Sequence, residues 1–247
     1  MRKKTKKILA YLILLISIIL VISSLFKIER RNKDLARNKK IDMKTKENIE
    51  VSHEKNNSQK YNIDWQNLEK LNSDTVAYLK VNNTNIDYVV VKGKDNKFYL
   101  SHNFNKEYSI AGWIFGDYRN RFDGQDKNII IYGHSMNDGT MFGTLKNVLN
   151  ESWYDNPNNL TIKLFTKDGV KEYEVFSLYK IIREDYYIQT EFKSDSEYMK
   201  FLTNLQNRSI KNFGINLKKS DNILTLSTCY AGGIKRVVLH AKLKNSP

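Results

Sequence analysis

Residues Ile8 to Phe26 form nineteen consecutive positions without a charged side chain. This run constrains the chain before any other feature does. About 20 apolar residues in a helix span the hydrocarbon core of a bilayer. Only a helix lets a lone segment satisfy its own backbone there. The run is longer than a typical signal-peptide apolar region, and no clear small-x-small cleavage site follows, Ser23-Ser24 being a weak candidate. Arg2, Lys3, Lys4, Lys6 and Lys7 precede it. The positive-inside rule then puts residues 1–7 in the cytoplasm as a basic tail, residues 8–26 across the cell membrane as a single-pass signal anchor, and the rest on the extracytoplasmic face. Lys27, Arg30, Arg31, Lys33 and Arg37 follow the segment and weigh against that orientation.

The net charge of +14 suggests nucleic acid until it is located. Residues 1–60 hold 16 Lys and Arg against 6 Asp and Glu, and residues 61–247 hold 25 against 21. The excess belongs to the arm, where basic residues beside an apolar segment point to an anionic membrane surface and not to nucleic acid. Residues 27–60 are rich in Lys, Asn and Glu, with scattered apolar positions. They read as a polar spacer, partly helical or disordered. The folded domain is expected over residues 61–247.

That domain opens as a short helix, with Ile63, Leu68 and Leu71 near helical spacing. Strand patterns then dominate. Ala77 to Val81 leads into an Asn82-Asn83 turn, and Ile86, Tyr88 and Val90 alternate as in a half-buried strand. Gly112 to Phe115 and Asn128 to Tyr132 are short apolar runs, and Lys167-Asp168-Gly169 joins two strand-like segments as a hairpin. Ser194 and Glu197 form a capping box before a helix that places Tyr198, Phe201, Leu202 and Leu205 on one face. Two further strands, Ile223 to Thr228 and Arg236 to Leu243, end the domain. Many short strands with few helices predict a mainly β fold, a closed β-barrel.

Cys229 is the one cysteine in 247 residues, so it forms no intrachain disulfide. It serves as a nucleophile or as a small buried hydrophobe. A thiol nucleophile needs a proton-transfer partner and an oxyanion donor. Of the four histidines, His53 lies in the spacer, His102 in a loop and His240 within the last strand. His134 follows the apolar run Asn128 to Gly133 directly, as Cys229 ends Ile223 to Thr228. Two strand ends can share one barrel rim. Arg236 opens the strand after the cysteine, so a hairpin can bring its guanidinium to the thiol. Each residue taken alone also fits an ordinary structural role. No Cys/His cluster has metal-ligand spacing, and no metal or cofactor is expected. A cysteine enzyme, a membrane-tethered thiol hydrolase or protease, and a non-catalytic surface binding module all remain open.

Tyr132-Gly133-His134, Thr225-Leu226-Ser227-Thr228-Cys229 and Arg236-Val237-Val238 resemble the signature blocks of the sortases. These are cysteine transpeptidases that attach proteins to the Gram-positive cell wall. Asn82 to Tyr88, Asp95 to Leu100, Ala111 to Asn120 and Asp138 to Phe142 resemble class B members. The resemblance runs from about Trp65 to Leu243. It implies a closed eight-stranded barrel with an N-terminal helix and a helix inserted between strands six and seven. It also implies a thioester on Cys229, with His134 as acid and base and Arg236 as oxyanion donor. Asn96, Leu100, Tyr187, Ile188 and Ser227 would contact substrate. Ser227, two before the thiol, would share its strand face. The implied partners are secreted proteins bearing a C-terminal sorting signal of Asn-Pro-x-Thr type, and an amine on a peptidoglycan cross-bridge or its lipid-linked precursor. Two departures stand out. Tyr88-Val89 lacks the family's frequent proline, and the short loop from Tyr230 to Lys235 carries no acidic residue.

Overall fold

A computed structural model describes residues 3–53, 59–182, 184–230 and 234–244, without the side chains of residues 3–6, His53, Cys229 and Tyr230. Helix α1 (Lys3–Lys46) leads into a hairpin of β1 (Ile49–His53) and β2 (Gln59–Ile63), then α2 (Trp65–Leu71). Strands β3 (Thr75–Val81), β4 (Asp87–Val91), β5 (Phe115–Gly116) and β6 (Asn128–Gly133) follow. A short α3 (Glu151–Tyr154) precedes β7 (Thr161–Thr166) and β8 (Gly169–Ile182). Helix α4 (Asp195–Asn207), β9 (Ile223–Tyr230) and β10 (Lys235–Leu243) complete the chain.

Strands β3 to β10 close a barrel in the order β3-β4-β5-β6-β9-β10-β8-β7. Two neighbouring pairs are parallel, β4 with β5 and β6 with β9, and the others are antiparallel. This is the expected eight-stranded closed barrel, with α4 inserted between its sixth and seventh strands. Closure removes the exposed edges that eight short strands would otherwise present.

Two apolar layers hold the structure. Val91, Leu79, Leu164, Leu224, Leu226 and Leu239 belong to the barrel's main core. On the outer face of β8, β9 and β10, Phe176, Tyr179, Ile223 and Val238 pack against Tyr198, Phe201, Leu202 and Leu205 of α4. A 13-residue helix is marginal alone. Its four buried side chains, worth about 1.5–3 kcal/mol each, hold it in place. Its cap follows the sequence reading in part. The Ser194 hydroxyl accepts from the Glu197 amide at 3.2 Å, while the Glu197 carboxylate reaches past Ser194 to the Lys193 amide at 2.6 Å.

Three regions differ from the sequence reading. Ile63 lies in β2, and α2 starts only at Trp65, capped by the Asp64 side chain on the Asn67 amide. Strand β4 is buried on both faces, since Val89 and Val91 are as fully covered as Val90. Val89, Val90 and Val91 all join the main core, and α1 lies along β4 with the Lys46 ammonium 5.2 Å over the Tyr88 ring. The stretch 27–60, read as a spacer, continues α1 and forms the β1-β2 hairpin. Asn38, Ile41 and Thr45 are buried against the barrel, with Asn38 Nδ2 donating to Ser109 Oγ at 2.7 Å. The apolar run 8–26 stays exposed along α1, which is long and apolar enough to cross a membrane.

Candidate active site

The ends of β6, β9 and β10 meet at one rim. The last parallel pair of β6 and β9 joins Gly133 to Thr228, and Thr228 Oγ1 donates to the Gly133 carbonyl at 2.6 Å. The next residue on each strand is His134 and Cys229. On the other side of β9, Cys229 pairs with Arg236. Cys229 is the penultimate residue of β9, so the strand runs two residues beyond the expected end at Thr228. Gly133 is required at this junction. A Cβ there would come within 2.5 Å of Ile114 Cδ1 and 2.8 Å of Phe142 Cγ.

His134, Arg236, Asn96, Leu100, Tyr187, Ile188 and Ser227 all line one cleft of about 160 Å³. The structure thus brings together every sequence-predicted site residue whose side chain it describes. The thiol of Cys229 and residues 231–233 of the loop that follows lie outside what the structure describes. His134 Nε2 sits 2.7 Å from the Leu100 carbonyl. A carbonyl only accepts, so Nε2 carries a proton and donates it. The Tyr187 hydroxyl and Ser227 Oγ are 2.9 Å apart, joining two walls of the cleft.

Behind the cleft lies a carboxylate that the sequence reading did not single out. Asp117 is fully buried. It accepts from Arg119 Nε at 2.8 Å and Nη2 at 2.7 Å, from Tyr132 Oη at 2.9 Å and from Asn96 Nδ2 at 2.9 Å. Burial pushes its pKa up, but the Arg119 side chain and amide, with the Tyr132 hydroxyl, outweigh that and hold it below the usual carboxylate value. Arg119 Nη2 also donates to the Ile188 carbonyl at 2.9 Å. One buried charge therefore orients Asn96, Tyr132 and the Ile188 wall. The signal in the sequence was Asp117-Tyr118-Arg119 straight after the apolar run Trp113 to Gly116.

A second network anchors the same wall from the other side. His240, within the last strand as expected, is completely buried beneath Phe176, Tyr179 and Tyr187. Asn128 Nδ2 donates to the Tyr187 and Gln189 carbonyls at 3.3 and 2.9 Å, and its Oδ1 accepts from Thr225 Oγ1 at 2.7 Å. Thr225 Oγ1 has spent its proton, so at 2.8 Å it accepts from His240 Nδ1. His240 Nε2 then accepts from Tyr179 Oη at 2.8 Å, and Tyr179 accepts from Tyr186 Oη at 2.9 Å. The network closes with a neutral imidazole. Burial pushes the His240 pKa down to about 3.

Similar proteins agree with this architecture. The family description "Sortase domain" matches residues 79–244. Sortase B of Staphylococcus aureus (strain NCTC 8325 / PS 47) is 38% identical over 182 residues, covering 72% of this chain and 74% of that protein. The crystal structure of sortase B from B. anthracis in complex with AAEK1 superposes with a TM-score of 0.75 at 33% identity, covering 87% of this chain and 99% of that one. Clostridium perfringens sortase B gives 0.68 at 40% identity, with 73% and 99% covered. The match spans the barrel, its inserted helix and the rim where β6, β9 and β10 end, so this chain belongs to the sortase family as a class B member, a cysteine transpeptidase.

Proposed function

We propose that this transpeptidase cleaves an Asn-Pro-x-Thr-type sorting signal after Thr and passes the protein to an amine of the cell-wall precursor or cross-bridge. The Cys229 thiolate attacks the Thr carbonyl carbon. As the tetrahedral intermediate collapses, the C–N bond breaks, His134 gives the leaving amine a proton, and a thioester remains. The incoming amine then attacks the thioester carbonyl, loses a proton to His134 and expels the thiolate. Arg236 stabilises the oxyanion with its planar cationic fork. With Nε2 donating to the Leu100 carbonyl, the exchanged proton falls to His134 Nδ1. Asn96 is oriented by Asp117 and by the Tyr118 amide at 3.0 Å, which prepares it to read a polar signal side chain. In this reading α1 anchors the enzyme in the cell membrane with residues 1–7 inside, and the barrel meets its substrates outside.

One observation carries the proposal. His134, Arg236 and five groove residues line a single cleft at the rim, where the ladder sets the Cys229 backbone opposite Arg236. Cys229→Ala is expected to abolish cleavage of an Asn-Pro-x-Thr reporter peptide with the fold retained. Arg236→Lys should also be severely impaired, since ammonium lacks the fork. Turnover by Cys229→Ala would sink the thiol route. Mass analysis of products with and without added amine separates transfer from hydrolysis.

A further inference from the structure

The basic residues after the apolar run have no part in the chemistry above. Lys27, Arg30 and Arg31 are exposed on α1 and, among the described residues, make no ion pair. Lys33 and Arg37 differ, pairing with Glu29 and with Asp34 and Glu107. Helix α1 does not pass from membrane to barrel through a flexible link. Ser109 Oγ and the Ile110 amide donate to Asp34 Oδ2 at 3.0 and 2.8 Å, and Arg37 Nη2 donates to the Tyr108 carbonyl at 2.5 Å. Between helix and loop opens a cleft of about 640 Å³, which Lys27, Arg30 and Arg31 line together with Tyr108 and Ile110. Tyr108 is 62% exposed and Ile110 40% exposed.

Asp34 lies eight residues beyond Phe26, about 12 Å along an upright helix and less along a tilted one. The headgroup layer is about 5–8 Å deep on each side of the hydrocarbon. Lys27 and Arg30, one and four residues beyond Phe26, fall within that layer while Asp34 lies just above it, so the cleft that Tyr108 and Ile110 share with these cations opens onto the layer. Tyrosine favours the interface, and cations near it favour anionic lipid.

We propose that this face rests on the outer leaflet, with Lys27, Arg30 and Arg31 holding anionic phospholipid headgroups and Tyr108 and Ile110 dipping into the interface. The proposal rests on the anchor reading above. It accounts for the cations that weigh against the expected orientation, because they serve the outer surface. It also fixes the height of the catalytic cleft. The Ser109 amide donates to the Ser101 carbonyl at 2.9 Å, one residue from Leu100, which lines that cleft.

The test uses the full chain carrying Tyr108→Trp, in nanodiscs whose lipids have brominated acyl chains. One set is phosphatidylcholine, and the other includes about one-third phosphatidylglycerol. The unsubstituted protein supplies the background from Trp65, Trp113 and Trp153. Quenching of the introduced indole should be at least about two-fold greater in the anionic discs, and high salt should reduce it. Adding Lys27→Gln, Arg30→Gln and Arg31→Gln should return it to the phosphatidylcholine level. Hydrogen exchange of amides 107–111 in the unsubstituted protein should slow in the anionic discs alone. Equal quenching and equal exchange in both compositions, with the chain retained in the discs, would overturn the docking and leave the anchor standing. Loss of the chain from the discs in alkaline carbonate would overturn the anchor and the docking together.

Discussion

The wall formed by Tyr187 and Ile188 is held from two sides by opposite means. On one side a buried ion pair, Asp117 with Arg119, reaches the Ile188 carbonyl. On the other a neutral chain through Tyr179, His240, Thr225 and Asn128 reaches the Tyr187 and Gln189 carbonyls. The ion pair needs Asp117 charged, and its surroundings hold the pKa low. The neutral chain needs His240 uncharged, and burial holds that pKa low as well. Both are therefore intact near neutrality, yet acid attacks them at different points. The wall is anchored in two chemistries, and each can be removed without touching His134 or Arg236.

Removing the charge should have the largest effect. Asp117→Ala strands Tyr132 Oη and Asn96 Nδ2 and leaves the Arg119 guanidinium half-buried without its carboxylate. The expected loss is about 2–4 kcal/mol in urea denaturation, because unpaired buried groups cost more than the bonds were worth. Peptide turnover should fall about ten-fold or more through kcat/KM, because three cleft elements lose orientation together. A loss below 1 kcal/mol, or unchanged kcat/KM, would show that the neutral network alone holds the wall.

The sequence exposed the rim better than its supports. Motif blocks placed His134 and Arg236 at strand ends, and family likeness pointed to Asn96, Leu100, Tyr187, Ile188 and Ser227; all seven line one cleft. Helix α4 was legible because an apolar stripe and a cap have local periods. Asp117 and His240 were not, because their roles depend on partners far along the chain, such as Ile188 for Arg119 and Tyr179 for His240. The docking of α1 was hidden for a related reason. Two of its buried contacts, Asn38 and Thr45, are polar and break the apolar pattern that marks a packed helix. In β4 the alternation suggested one open face, but Val89 and Val91 join the same core as Val90.

The neutral side should show itself in the pH dependence of stability. His240 has an ordinary value of 6.5 and a folded value of about 3. Below 6.5 the unfolded chain binds a proton that the folded protein refuses, so stability falls as pH drops from 6.5 toward 3. The slope from this group is at most about 1.4 kcal/mol per pH unit. Asp117 has the ordinary value 3.8 and a lower folded one, so its contribution is whole above 3.8 and is lost as pH falls from there through the folded value. His240→Gln should cost about 1–3 kcal/mol at pH 7.5 through the Tyr179 and Thr225 bonds. Its deficit should then shrink at pH 5, since the variant no longer titrates. Urea midpoints at three pH values check this, and a constant deficit would mean His240 is not the group that responds.

The smallest expected effect separates charge from reach. Arg119→Lys keeps a cation beside Asp117 but cannot hold both carboxylate oxygens and the Ile188 carbonyl in one planar fork. Stability should fall by only about 0.5–1.5 kcal/mol, since one partly exposed hydrogen bond is lost and Asp117 stays neutralised. The Ile188 wall, now held only by the Asn128 side, should bind the sorting peptide less well. KM is therefore expected to rise about two- to five-fold with kcat nearly unchanged, the mark of lost ground-state binding. Combining it with His240→Gln should raise KM by more than the product of the single effects, because the wall would lose one anchor and the support behind the other. Simple multiplication in the double variant would mean the two sides act on different parts of the cleft and do not share the wall.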